Sequence, residues 1–201
     1  MGTVEAIRKA VVKTFQDRTP KSEAFVGNLG RYLPGGDTRS KAFYKPYPFV
    51  AETAGGYTIR DIDGNEYVDY MNNFTSLFHG HAHPAVVKAL QDQAARGTCH
   101  GAPIELHLKH AKILCDRIPY LEELRYCNAA SEGTMYAMRA ARAFTKKEKF
   151  IVIDGGYNGC HDFVGMNIAP APTGPDGYPI PTLERGMPAS VVNDVLVAAF
   201  N

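Results

Sequence analysis

The sequence predicts an α/β protein, a mainly parallel sheet with covering helices, joined to a smaller N-terminal part built from a helix and a β-hairpin. Three observations predict it. From about residue 105 onward, helical and strand patterns alternate: Leu108, Ala111, Cys115 and Ile118 recur at helical spacing, an apolar run covers 124–127, Met135, Met138, Ala141 and Phe144 mark a second helix, and Phe150 to Ile153 form a second apolar run. Residues 57–70 read as two alternating strands joined by an Asp63-Gly64 turn, which is a hairpin. Val4, Ile7, Val11 and Phe15 lie on one face of an amphipathic helix that ends before Pro20. These patterns divide the chain into residues 1–100 and 101–201.

Composition limits the function. The 201 residues carry 22 basic and 21 acidic side chains, a formal net charge of +1, so nothing favours nucleic acid or an acidic membrane surface as partner. No apolar stretch is long enough to span a bilayer, and the N-terminus lacks a signal-peptide core, which makes the cytoplasm the expected compartment. The four cysteines show no CxxC spacing and read as reduced thiols. Cys160 beside His161 carries little weight as a nucleophile, because sequence neighbours point apart.

Taken in order, the first loop is Leu33-Pro34-Gly35-Gly36-Asp37-Thr38-Arg39-Ser40. A Gly-rich loop can carry the Arg39 guanidinium to a carboxylate, and Arg39 is equally readable as a solvated charge. Asp61, Asp63, Asn65 and Asp69 have some of the look of a calcium loop but lack its distal bidentate Glu. His79, His81 and His83 alternate and could meet a metal from one strand face. Pro84 then starts a helix and Gly97 ends it. Glu105, ahead of the next helix, is readable as a first-turn charge favoured by the helix dipole and equally as a residue near a site.

The stretch 125–162 carries the chemistry. A short strand at Leu124 to Cys127 breaks into Asn128-Ala129-Ala130-Ser131-Glu132-Gly133-Thr134 and then becomes a helix. Small residues at a strand-to-helix turn let backbone N–H groups approach an anion, and the helix N-terminus adds partial positive charge. The second strand ends in Gly155-Gly156-Tyr157, delivering an aromatic ring next door. A phosphate seat beside an aromatic platform suits a phosphorylated, flat cofactor; an ordinary βαβ crossover would show the same turn. Beyond it, residues 169–188 form a Pro-rich loop, and an apolar strand over 194–200 calls for a place inside a parallel sheet.

Here a resemblance enters. Ala129-Ala130-Ser131-Glu132-Gly133 and Gly156-Tyr157-Asn158-Gly159 resemble the Ser-Gly-Thr-Glu-Ala and Gly-x-Tyr-His-Gly runs of class III, fold-type I pyridoxal-phosphate enzymes, the aminotransferase and aminomutase group. The Asp-x-Asp-Gly-x-x-Tyr-x-Asp hairpin, Gly80-His81-Ala82-His83-Pro84 and Gly101-Ala102-Pro103-Ile104-Glu105 continue the likeness, which covers about residue 30 to the end. The resemblance implies that residues 101–201 are the first part of a fold-type I large domain, with pyridoxal 5'-phosphate as cofactor. It implies that Ala130 and Ser131 bind phosphate and that Tyr157 stacks on the pyridine ring. Pro34-Gly35-Gly36-Asp37-Thr38-Arg39 is similar to the loop of transaminases acting on β-amino acids, which implies Arg39 as ligand of the substrate carboxylate and Phe74 as a wall of the substrate pocket. Further implications are a homodimer onto whose partner subunit the N-terminal helix packs, an amino donor and a 2-oxo acid acceptor as substrates, and no metal. Two departures stand out: Ala130 replaces Gly, which is tolerable at negative φ, and Asn158 replaces His. No lysine here matches the family's Schiff-base position, so that lysine and the pyridinium aspartate are expected beyond residue 201 and the chain alone is expected to be inactive. An aminomutase, a racemase and an inactive half-enzyme are the alternatives.

Overall fold

A computed structural model describes residues 2–39 and 43–200 and divides into two compact units, residues 1–102 and 103–201. In the first unit, α1 (Gly2–Arg18) is followed after Thr19 by α2 (Pro20–Leu29). Pro20 does end the first helix, but it also opens a second one that the sequence patterns did not show. Proline suits a first helical position because its missing N–H would have no intrahelical partner there. Thr19 makes no side-chain cap. Asp63 from the hairpin does that work, accepting hydrogen bonds from Lys21 N at 2.7 Å and from Ser22 N at 3.0 Å and Oγ at 2.7 Å.

The hairpin belongs to a three-stranded antiparallel sheet, β1 (Ala51–Gly55), β2 (Thr58–Asp61) and β3 (Glu66–Val68). Its turn is organised by Asp61, which is fully buried and accepts from Asp63 N, Asn65 N, Asn65 Nδ2 and the Tyr67 hydroxyl. These carboxylate oxygens therefore serve the turn itself. Burial pushes the Tyr67 hydroxyl up to about 12, helped by its bond to the Asp61 carboxylate. Phe15 packs against Tyr44 and Tyr47, and Phe49 stacks on Tyr67 at 4.7 Å between ring centres. A single turn, α3 (Asn72–Thr75), and α4 (Pro84–Ala94) complete this unit, with Gly97 at φ +93° just past the helix.

The second unit opens with α5 (Glu105–Arg117). The apolar run at 124–127 is not a strand. Among the described residues it has no neighbouring strand to complete a ladder, and Tyr126 instead bonds His110 Nδ1 at 2.9 Å. The next helix, α6 (Ala130–Thr145), starts inside the small-residue run rather than after it, and Lys146 closes it at φ 59°. Then β4 (Phe150–Ile153) pairs in parallel with β5 (Val195–Ala198), in register from Phe150 opposite Val195 to Ile153 opposite Ala198. Val152, Met166, Val191, Val195 and Val197 form the buried cluster beneath this pair, with Phe163, Leu183 and Met187 against it. The Arg142 guanidinium lies 4.4 Å from the ring centres of both Phe150 and Phe163, tying α6 to the sheet. The Pro-rich segment is an irregular connection pinned by Asn167, whose side chain bonds Asp154 Oδ1, Ile180 O and Thr182 N.

Candidate functional site

Each unit carries one of the clusters singled out in the sequence. In the second unit, the first bond within α6 runs from Gly133 N to Ala129 O at 3.0 Å. The amides of Ala130, Ser131 and Glu132 thus precede the helical ladder and form the donor end of the helix. Ala130 takes the right-handed helical conformation, so its methyl group is accommodated where the family pattern has glycine. Glu132 turns back to accept from Asn128 N at 2.8 Å.

Tyr157, Gly159 and Cys160 return to this helix end from the far side of β4. Cys160 N donates to Ser131 Oγ at 3.0 Å, and the Tyr157 hydroxyl lies 3.0 Å from Cys160 Sγ. Gly159 makes the return possible. Its φ is +119°, and a Cβ there would stand 3.0 Å from Ser131 Cα and 3.0 Å from its Oγ. The Tyr157 ring is 60% exposed, free to cover a ligand, and its hydroxyl is held protonated above the usual range, first by the contact with Cys160 and then by burial. The structure therefore brings Ala130, Ser131 and Tyr157 to one helix end, where backbone amides, a hydroxyl and a flat ring suit a phosphorylated aromatic group.

Behind them, Thr134 Oγ1 lies 3.0 Å from Ser131 O, 3.0 Å from Asn158 O and 3.2 Å from His161 Nε2. A hydroxyl has a single proton. With that proton on a carbonyl, His161 Nε2 is the donor and Nδ1 keeps its lone pair, a tautomer assigned from the network. Nδ1 is buried with no partner, and burial pushes the His161 ring below its usual pKa, with Asp162 pulling weakly the other way. The ring borders a cavity of about 210 Å³ lined by Met135, Met138, Arg139, Arg142, Asp162 and Phe163. Asn158 thus contributes its backbone carbonyl, and the histidine of this region is His161.

In the first unit, Arg39 Nη1 donates to Asn73 Oδ1 at 2.9 Å. Asn73 and Phe74 lie in α3, which is wound left-handed: φ is 50° at Asn72, 47° at Asn73, 56° at Phe74 and 66° at Thr75. Such backbone costs roughly 1–2 kcal/mol per residue. Asp69 Oδ1 holds it by accepting from Met71 N at 3.0 Å and Asn72 N at 2.8 Å, and Ser76 Oγ donates to Asn73 O at 2.8 Å. The Asp69 carboxyl is held below its usual range, chiefly by its 2.7 Å bond to His81. Phe74, next to Asn73 in the chain, is half exposed. His81 is engaged by Asp69 while His79 and His83 face each other at 5.3 Å; among the described residues no three His, Cys, Asp or Glu side chains are arranged around a metal position.

Sequence reasoning missed Cys160, Thr134, His161 and Asn73 as members of these clusters. The Gly-Tyr-Asn-Gly spacing, with a second glycine two residues past the tyrosine, was the available signal for the first of them.

The sequence profile described as "Aminotransferase class-III" matches residues 40–169. The glutamate-1-semialdehyde 2,1-aminomutase of Methanothermobacter thermautotrophicus is 36% identical over 185 residues, covering 90% of this chain and 42% of the relative. An omega-transaminase from Sphaerobacter thermophilus superposes with a TM-score of 0.84 at 36% identity, covering 89% of this chain and 41% of its own. A structure described as a transaminase with PLP bound gives 0.83 at 34% identity, over 91% and 42% of the two chains. A β-phenylalanine aminotransferase from Variovorax paradoxus gives 0.78 at 28% identity, over 96% and 40%. The chain spans about two fifths of the length of the relatives it matches.

Proposed function

This chain belongs to the class-III aminotransferase family, and from that membership we propose that it takes part in moving an amino group between an amino acid, with a β-amino acid as first candidate, and a 2-oxo acid, using pyridoxal 5'-phosphate. The observation that carries the proposal is the helix end at which Ser131, Cys160 and Tyr157 meet. When bound, the cofactor supplies a reactive carbonyl and an electron-withdrawing ring that weakens bonds to the carbon bearing the amino group.

The chain's own residues do the rest. The Ala130 and Ser131 amides and the Ser131 hydroxyl hold the phosphate, with the helix dipole favouring its charge. Tyr157 covers the ring and keeps water from one face. Arg39 binds the substrate carboxylate, and Phe74 lines the side-chain pocket. Asn73 uses one of the five guanidinium N–H groups and brings no charge of its own, so the Arg39 cation stays available for a substrate anion. Residues 1–100 then supply the substrate part and 101–201 the cofactor part of a cytoplasmic homodimer.

The test is glutamate formation from 2-oxoglutarate and a β-amino acid such as β-phenylalanine by the purified holoenzyme. Glutamate production that falls on Arg39→Ala supports the reading; a cofactor-loaded protein that has the Schiff-base lysine and gives no amino transfer to any 2-oxo acid refutes it. A second reading, an aminomutase that shifts the amino group within one molecule, is favoured by the 36% identity to the glutamate-1-semialdehyde 2,1-aminomutase. It predicts turnover without any external acceptor.

A further inference from the structure

We propose that Cys160 is a positioning residue for the phosphate-and-ring seat: its thiol fixes the Tyr157 hydroxyl, and its amide fixes the Ser131 hydroxyl. This rests on the cofactor reading of Ser131 and Tyr157 given above.

Tyr157 needs such a tether. Its ring is 60% exposed and stacks on no other ring among the described residues, so packing does little to restrict it. The 3.0 Å contact between its hydroxyl and Cys160 Sγ anchors the far end of the ring, three residues along the chain. Cys160 is in turn anchored by its N–H on Ser131 Oγ, 29 residues away in sequence, which ties the whole turn to the helix end. That bond also sets what Ser131 can do. Its oxygen accepts from the Cys160 amide, so its own proton can turn to the Tyr157 hydroxyl, which it also meets, or to a bound anion. Gly159 fits the same purpose, since its close approach to Ser131 Cα, Cβ and Oγ leaves no room for a side chain and brings the Cys160 amide within reach. A ring and a hydroxyl ordered before the ligand arrives lose less freedom on binding, so the tether appears as affinity.

The experiment is a fluorescence titration with pyridoxamine 5'-phosphate, whose amine cannot condense with surface lysines, on the folded protein and its variants, each checked by circular dichroism. Ser131→Ala and Tyr157→Ala test the underlying reading. If neither weakens binding, that reading falls and the inference with it. If both weaken it, the tether is tested by Cys160→Ala and Tyr157→Phe, which each remove one end of the contact. Each is expected to raise Kd about threefold to tenfold, the range of one modest hydrogen bond. The double variant is expected to be no weaker than Tyr157→Phe alone, which already removes the Cys160 contact along with the one to Ser131. Cys160→Ser, which keeps a polar hydrogen at this position, is expected to bind within about twofold of the wild type. Wild-type affinity in Cys160→Ala, or losses that multiply in the double variant, would overturn the positioning role while leaving the cofactor reading standing.

Discussion

Replacing Gly159 with alanine tests whether the approach of the Tyr157 segment to α6 is what builds the seat. Two costs are readable from the structure. The first is backbone: φ is +119°, a conformation L residues rarely adopt, and such positions cost about 1–3 kcal/mol. The second is contact: the new Cβ would stand 3.0 Å from Ser131 Cα and Oγ and 3.2 Å from its Cβ, and overpacking of this kind costs about 1–3 kcal/mol when it cannot relax. Relaxation is available here, because Tyr157 and Cys160 are exposed and can swing outward. Swinging out breaks the Cys160 N to Ser131 Oγ bond, about 0.5–1.5 kcal/mol. The cheaper route wins, so the expected loss is roughly 2–4 kcal/mol, combining the strain that remains with the lost bond. Gly177 supplies the control. Its φ is +82° and nothing lies within 4 Å of an added Cβ, so Gly177→Ala carries the backbone cost without the clash. Urea unfolding followed by far-ultraviolet circular dichroism measures both, and titration with pyridoxamine 5'-phosphate reads the seat. Gly159→Ala is expected to lose more stability than Gly177→Ala and at least tenfold in affinity, whereas Gly177→Ala keeps full affinity. Equal stability losses in the two variants, with binding intact in both, would refute the assignment of Gly159 as the residue that permits the approach.

Asp61→Asn is expected to cost about 2–3 kcal/mol, because the carboxylate accepts four hydrogen bonds in a buried turn and an amide cannot accept them all. Burial works to raise the Asp61 pKa, but the bonds from Asn65, Tyr67 and Asp63 outweigh it and hold it below the usual carboxylate range. Its contribution is therefore present above the unfolded value, near 3.9, and is lost as pH falls through the lower folded value; acid unfolding curves of the wild type should show this component and those of Asp61→Asn should not. His161 is depressed by burial, so as pH falls past about 6.5 the unfolded state takes up a proton before the folded state does and stability declines. His161→Gln should flatten stability between about pH 7.5 and 5.5, and an unchanged profile would contradict a neutral, partly buried ring. Asn73→Asp keeps a bond to Arg39 but pairs it with a charge, so in the active holoenzyme KM for a carboxylate-bearing amino donor should rise about threefold to tenfold with kcat little changed. An amine lacking a carboxylate should be unaffected.

The parts of the fold legible in the sequence are those fixed by local chemistry. Asp63-Gly64 between alternating strands specifies the hairpin, and Gly64 adopts φ +91° as such a turn demands. Helical spacing over 105–118 and the proline at position 84 locate α5 and α4 because both signals act within a few residues. The errors fall where a residue serves two neighbours or where a partner decides. Pro20 both ends α1 and opens α2, and the second role depends on Asp63, remote in sequence, taking the Lys21 and Ser22 amides. The run at 124–127 has the residues of a strand, but a strand exists only when another strand accepts its hydrogen bonds, and the described residues supply none. The left-handed turn over Asn72 to Thr75 is the extreme case. Asparagine tolerates that conformation, while phenylalanine and threonine disfavour it, so only the bonds from Asp69, Ser76 and Arg39 that hold it in place make it possible.

The same distinction applies to the site. Ser131 and Tyr157 stood out as candidates because each sits at a strand or helix end marked by small residues. What links them did not, since the link is a backbone N–H meeting a hydroxyl from another element, and neither group has a sequence signature of its own. Cys160 illustrates the point: as expected of sequence neighbours, its side chain and that of His161 point to different partners, the thiol to Tyr157 and the imidazole to Thr134, and neither pairing is marked in the sequence. Gly159 precedes both. By taking a positive φ it lets the chain approach Ser131 closely enough for the Cys160 amide to reach the Ser131 hydroxyl, while His161, one residue on, meets Thr134. The exposed Cys160 and the partly buried His161 thus both meet the first turn of α6, one through Ser131 and the other through Thr134, so the close approach that Gly159 permits bears on both contacts.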